Sequence, residues 1–237
     1  RRRSPCRHRR RRGRDAARQA RHALERAVEL DSDNMRARLM LIRFYTLAPW
    51  ILGGSRSKAS QLVEACQQRS EAWGHEAKAL YALGTGDTAT AVTSFAKAQA
   101  LLPRERDPAL FLAKAYLADQ QPRAAIRTLE RLVEKYPRFQ EAWLELGKIA
   151  ANNNLHSVRG MAALEHYLAN ADGESGALRA QAATALARLY LNADRTEEAV
   201  TALRRARNDD PGNREARRLL SSICQSSSRA CADDRSG

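Results

Sequence analysis

A triplet of residues recurs along this chain at a spacing that leaves few folds open. Ala is followed four positions later by a large apolar residue and three further on by a third member, small in most copies. The copies are Ala20-Leu24-Ala27, Ala59-Val63-Cys66, Ala91-Phe95-Ala98, Ala125-Leu129-Leu132, Ala163-Tyr167-Asn170 and Ala199-Leu203-Ala206. Their leading alanines stand 39, 32, 34, 38 and 36 residues apart. Offsets of four and three place all members on one stripe of a helix. Pro103, Pro137 and Pro211 each follow the third member by five residues, with Ser32 at that place in the first copy. Pro cannot continue a helix, so it ends the segment there. A second pattern alternates with the first: Leu112-Ala113 with Tyr116, Leu186-Ala187 with Tyr190, and Trp143 with Leu146-Gly147. Each period therefore holds two helices that meet at Ala or Gly. One such hairpin cannot cover its own apolar face, so copies must stack.

These residues resemble the tetratricopeptide repeat family, which carries Trp, a Leu-Gly pair and Tyr on one helix, then Ala, Phe and Pro on the next. The resemblance covers roughly residues 14–224 and is fullest at 107–137 and 179–211. It implies an all-α, right-handed solenoid of about five antiparallel helix pairs with a C-terminal capping helix. The helices are expected at 14–30, 34–47, 56–69, 71–83, 87–101, 107–118, 122–135, 139–151, 155–170, 175–192, 195–208 and 213–224. Residues 1–13 are expected to be a disordered Arg-rich tail and 225–237 a second disordered tail. The stretch Ala48-Pro49-Trp50-Ile51-Leu52-Gly53-Gly54-Ser55 is similar to one that joins two helices in exported bacterial members. By that resemblance the protein is expected to be periplasmic or exported, and otherwise cytoplasmic. In the stretch, Ser55 is expected to cap a helix, and Trp50 and Ile51 to plug the apolar end of a hairpin, the alternative being an exposed Trp50 that marks a contact with a partner.

The formal net charge of +14 misleads unless divided. Nine arginines and no acid fall within residues 1–14, leaving only +5 for the rest. Such a run repels itself and suits phosphates of any base sequence. Nucleic-acid association through this stretch is therefore the alternative function, although no aromatic residue interleaves there to stack on bases. No apolar run approaches the ~20 residues of a membrane span. Cys6, Cys66, Cys224 and Cys231 form no CxxC pair. Cys66 reads as a buried free thiol, whereas Cys224 and Cys231 could bridge in an oxidising compartment. The five histidines stand apart, and no nucleophile, phosphate-binding or metal-ligand motif is present. The expectation is a chain that is not an enzyme, holds no cofactor and binds no metal.

The expected site is a row of cations. Lys78, Lys114, Lys148 and Arg188 each follow the small Ala or Gly of a first helix, and three of the chain's six lysines fall at this one place. The resemblance implies that first helices line a concave groove and that this position faces the ligand. Tyr81, Leu117 and Asn192 lie about a turn further on and would add apolar and hydrogen-bonding contacts. Such a groove suits a protein or peptide of acidic character. Family members that bind chaperone tails use Asn beside their cations, and no Asn stands beside these in the sequence.

Overall fold

The structure, a computed structural model, describes the backbone of residues 5–226 and the side chains from 13 to 225. Among the described residues there are twelve α-helices and no strand. They fall into two compact units divided between Gln120 and Gln121.

The first unit holds α1 (Pro5–Leu30), α2 (Met35–Leu47), α3 (Arg56–Arg69), α4 (Glu71–Thr85), α5 (Thr88–Leu101) and α6 (Asp107–Ala118). Consecutive helices pack as hairpins, and α2, α4 and α6 pack in turn along one side. The starts are written in the sequence. Asn34 accepts from the Ala37 amide at 2.9 Å and Asp87 from that of Thr90 at 3.1 Å, each satisfying a donor that a helix start leaves open. Gly86, at φ 90°, closes α4 in the left-handed region that glycine enters without penalty. Phe95, Ala91 and Ala98 of α5 are wholly buried with Ile42, Ala77 and Ala115 of the first helices.

The second unit holds α7 (Pro122–Lys135), α8 (Gln140–Asn153), α9 (Ser157–Ala169), α10 (Gly176–Asn192), α11 (Thr196–Asp209) and α12 (Arg214–Ser226). Its core joins Leu164 and Tyr167 of α9, Ala183, Ala187 and Leu189 of α10, Ala199 and Leu203 of α11, and Ala216 and Leu220 of α12. Ala and Gly sit where helices approach most closely. A Cβ on Gly147 would lie 2.2 Å from Leu164 Cγ. Each unit is thus a segment of α-solenoid, stabilised by the apolar area that neighbouring helices remove from water.

Three expectations change. The first helix begins at Pro5, not residue 14, so residues 5–13 of the expected disordered tail are helical. Arg is a good helix former and Pro is tolerated in a first turn. Residues 1–4 lie outside the described residues. At the other end α12 runs on through Gln225 to Ser226, and only 227–237 of the expected tail lie outside the described residues. Trp50 and Ile51 do not plug a hairpin: they are 84% and 52% exposed. Trp50–Leu52 form a 3-10 turn that closes on Gly53, at φ 94°, with the Gly53 amide donating to the Trp50 carbonyl at 2.9 Å. The Ser55 amide then returns to the Tyr45 carbonyl at 2.8 Å, which leaves the turn projecting outward. Ser55 does cap α3, accepting from the Lys58 amide at 3.3 Å. All other helix limits fall within two residues of those expected. Cys66 is buried and free. Cys224 is disulfide-bonded, with a partner outside the described residues.

Candidate functional site

The expected cations divide between the two units. In the first, Lys78 on α4 is exposed, and it adds to the hydrogen bonds from Thr90 that hold the Asp87 carboxyl below its usual range. Lys114 on α6 lies 5.3 Å from the Phe111 ring centre, close enough for a cation–π contact. Leu117 is exposed one turn on. Tyr81 is half-buried and packs against Leu41, Tyr45 and Ala59.

The second unit brings its two cations together. Lys148 on α8 and Arg188 on α10 line one cavity of about 420 Å³ with Asn152, Gln181, Thr184, Ala185, Asp210, Asn213 and Glu215. Helices α8, α10 and α12 supply these walls together with Asp210 and Asn213 of the turn before α12; Lys148 and Arg188 each follow the small residue of their helix. Neither cation is idle. Lys148 Nζ donates to Glu145 Oε1 at 3.1 Å. Arg188 Nη1 donates to Asn152 Oδ1 at 2.8 Å and lies 3.5 Å from Glu215 Oε1. Arg188 and Glu215 are 34% and 46% exposed, so water screens that pair and it is worth little, whereas Lys148 and Glu145, at 31% and 18%, are less screened. Asn192 does not line the cavity; its Nδ2 donates to Asn154 Oδ1 at 3.0 Å.

Asn residues do stand beside the cations, contrary to the reading of the sequence. Asn152 lies four positions after Lys148, one helical turn away, and reaches Arg188 across a period. Asn213 caps α12 through the Ala216 amide at 3.0 Å while its Nδ2 donates to Thr184 Oγ1 at 3.1 Å. Looking only at immediate neighbours missed both; the helical offset of four would have found Asn152. The cavity combines two cations, amide and hydroxyl groups and two acids, a set that can bind a carboxylate and fix its orientation. Among the described residues no three His, Cys, Asp or Glu side chains gather as metal ligands. No helix among them is long and apolar enough to cross a membrane.

The arginines of residues 1–12 have no described side chains, so the expected nucleic-acid contact lies outside the described residues.

Comparison with known proteins agrees with this architecture. Tetratricopeptide repeat families match residues 82–149 and 180–223. No curated protein matches the sequence. Among solved structures, YrrB, a TPR protein with an unusual peptide-binding site, is 18% identical with a TM-score of 0.60, covering 84% of this chain and 98% of its own. MamA is 20% identical with a TM-score of 0.57, covering 64% and 79%. A thermophilic TPR protein of Thermus thermophilus is 21% identical with a TM-score of 0.54, covering 81% and 99%. At these identities the likeness concerns the fold alone.

Proposed function

Because the chain is a tetratricopeptide-repeat protein and its repeats make it a protein-interaction scaffold, we propose that it receives a carboxylate-bearing protein segment in the cavity between α8, α10 and α12. The observation that carries this reading is the convergence of Lys148 and Arg188 on one cavity of about 420 Å³. A bound carboxylate would take the place of Glu145 and Glu215, whose contacts are at 3.1 and 3.5 Å. Exchange of an internal pair for an external one keeps each cation paired and makes the choice of partner depend on charge. Gln181, Thr184 and Asn152 would supply the directional hydrogen bonds. YrrB's peptide-binding site makes a peptide ligand reasonable for this fold, and the residues proposed here come from this chain alone.

The test is selection of displayed peptides against the full chain, followed by fluorescence anisotropy on the enriched sequences. Asp- and Glu-rich peptides should be enriched. Lys148→Glu combined with Arg188→Glu should weaken them at least ten-fold, about 1.4 kcal/mol, with helicity unchanged by circular dichroism. Enrichment without regard to charge, or affinity that survives the double reversal, would remove this reading.

The disulfide at Cys224 supports an oxidising compartment, in keeping with the expected export. Alkylation of the native, folded protein should modify Cys224 only after reduction. Modification without reductant would count against export.

A further inference from the structure

One residue breaks the repeat in a place where the repeat does not tolerate polarity. The position before the small residue of each first helix is Leu112 in α6, Leu146 in α8 and Leu186 in α10, all buried. In α4 it is Glu76, which is 2% exposed and whose Oε2 has no hydrogen-bond partner. A carboxylate removed from water with no compensating bond is costly, so at this position Leu would be the more stable choice.

Glu76 opens onto a cavity of about 150 Å³ on the first-helix side of the first unit. Its walls include Leu39 and Met40 of α2, Trp73 and Leu80 of α4, and Phe111 of α6, with Glu105 and Asp107 at the edge. Two guanidinium groups reach the same cavity and both are engaged. Arg36 donates to Glu105 at 2.8 Å, and Arg43 lies 4.7 Å from the Phe111 ring centre. Three acids and two bases therefore line the cavity; Arg106 beside it lies 3.9 Å from Asp107, and Glu76 Oε2 is left without a hydrogen-bond partner.

We propose that this cavity is a docking site for the basic side chain of a partner protein, whose ammonium or guanidinium head meets the Glu76 carboxylate. The aliphatic stem of Lys or Arg would lie along Leu39, Met40 and Leu80, and the head would approach the Trp73 indole as well as Glu76. Charge complementarity selects the occupant: the open group is an anion in an apolar, aromatic-walled recess. The site lies wholly within the first unit and does not depend on the Lys148 and Arg188 cavity.

The probes are the acetylated, amidated pentapeptide Gly-Ala-Lys-Ala-Gly and its Arg, norleucine and Glu counterparts, titrated into the full chain. The readout is the indole N–H resonance of Trp73, assigned with Trp73→Phe. The Lys and Arg peptides should shift it saturably, with the norleucine and Glu peptides at least ten-fold weaker. Glu76→Leu should abolish the Lys response while raising or preserving the unfolding temperature, and Glu76→Gln should weaken it at least ten-fold. The proposal is overturned if norleucine matches Lys, if Glu76→Leu still binds, or if no peptide shifts the resonance. It also fails if spermidine binds as tightly as the Lys peptide, because the occupant would then be a free polyamine.

Discussion

At the scale of single residues, Glu76 gives the protein a pH dependence that a regular repeat would lack. Burial, with Asp107 and Glu105 nearby and Arg36 opposing them, pushes its carboxyl up from 4.5 to about 7. An acid whose pKa is raised on folding binds more protons in the folded state than in the unfolded one. Its ionisation is therefore free of penalty to folding below pH 4.5 and costs progressively more as pH climbs to about 7, reaching about 3 kcal/mol. Urea unfolding of wild type and Glu76→Leu should show the variant's advantage growing across that window. An advantage that is constant with pH would mean that Glu76 does not titrate there. Gly147 is the steric counterpart. A methyl group would fall 2.2 Å from Leu164 Cγ, so Gly147→Ala should cost about 1–3 kcal/mol through overpacking. A thermal melt unchanged from wild type would show that Leu164 moves aside at no cost.

Between elements, the same bond appears in both units. The hydroxyl of Tyr45 on α2 donates to Glu25 on α1 at 2.6 Å, and that of Tyr190 on α10 to Glu165 on α9 at 2.6 Å. Tyr190 stands three residues after Ala187 and Tyr45 three after Ile42, and each reaches back to the preceding helix, tying one hairpin to the next. Burial and the acceptor carboxylate push both phenols up to about 12, so they remain donors at neutral pH. Tyr45→Phe and Tyr190→Phe keep the ring and delete the bond. Each should lower stability by about 1 kcal/mol, read by chemical denaturation. The outward turn at Trp50 is also a matter of elements, set by Gly53 and by the Ser55-to-Tyr45 backbone bond.

At the scale of the molecule, stability is a sum over stacked neighbours, so damage should stay close to where it is made. Helix α12 is the last described helix of the second unit. It buries Ala216, Leu220 and Ile223 while Arg217 and Arg218 stay in water. Leu220→Ala should cost about 2–5 kcal/mol, and amide exchange should quicken first in α12 and α11, before α8. Uniform acceleration through the second unit would instead mean that its helices unfold together.

The sequence alone determined the helices and their pairing. Spacings of three and four, small residues at recurring places and prolines after them leave few arrangements open, the resemblance to tetratricopeptide repeats selects among these, and all but the outermost helix limits could be read from the residues. It also fixed which positions follow the small residue, hence Lys148 and Arg188. What it could not show was what those cations already hold. Glu145 lies one turn away on the same helix, but Asn152 and Glu215 reach Arg188 only because α8 and α12 flank α10. Glu76 stands in the sequence where Leu112, Leu146 and Leu186 precede a small residue, but that Oε2 lacks a partner there follows only from its stacking against α2 and α6. Periodicity is a property of the chain, whereas burial and partnership belong to neighbours that the fold assembles. For that reason the architecture could be read from the residues and the chemistry of the site could not.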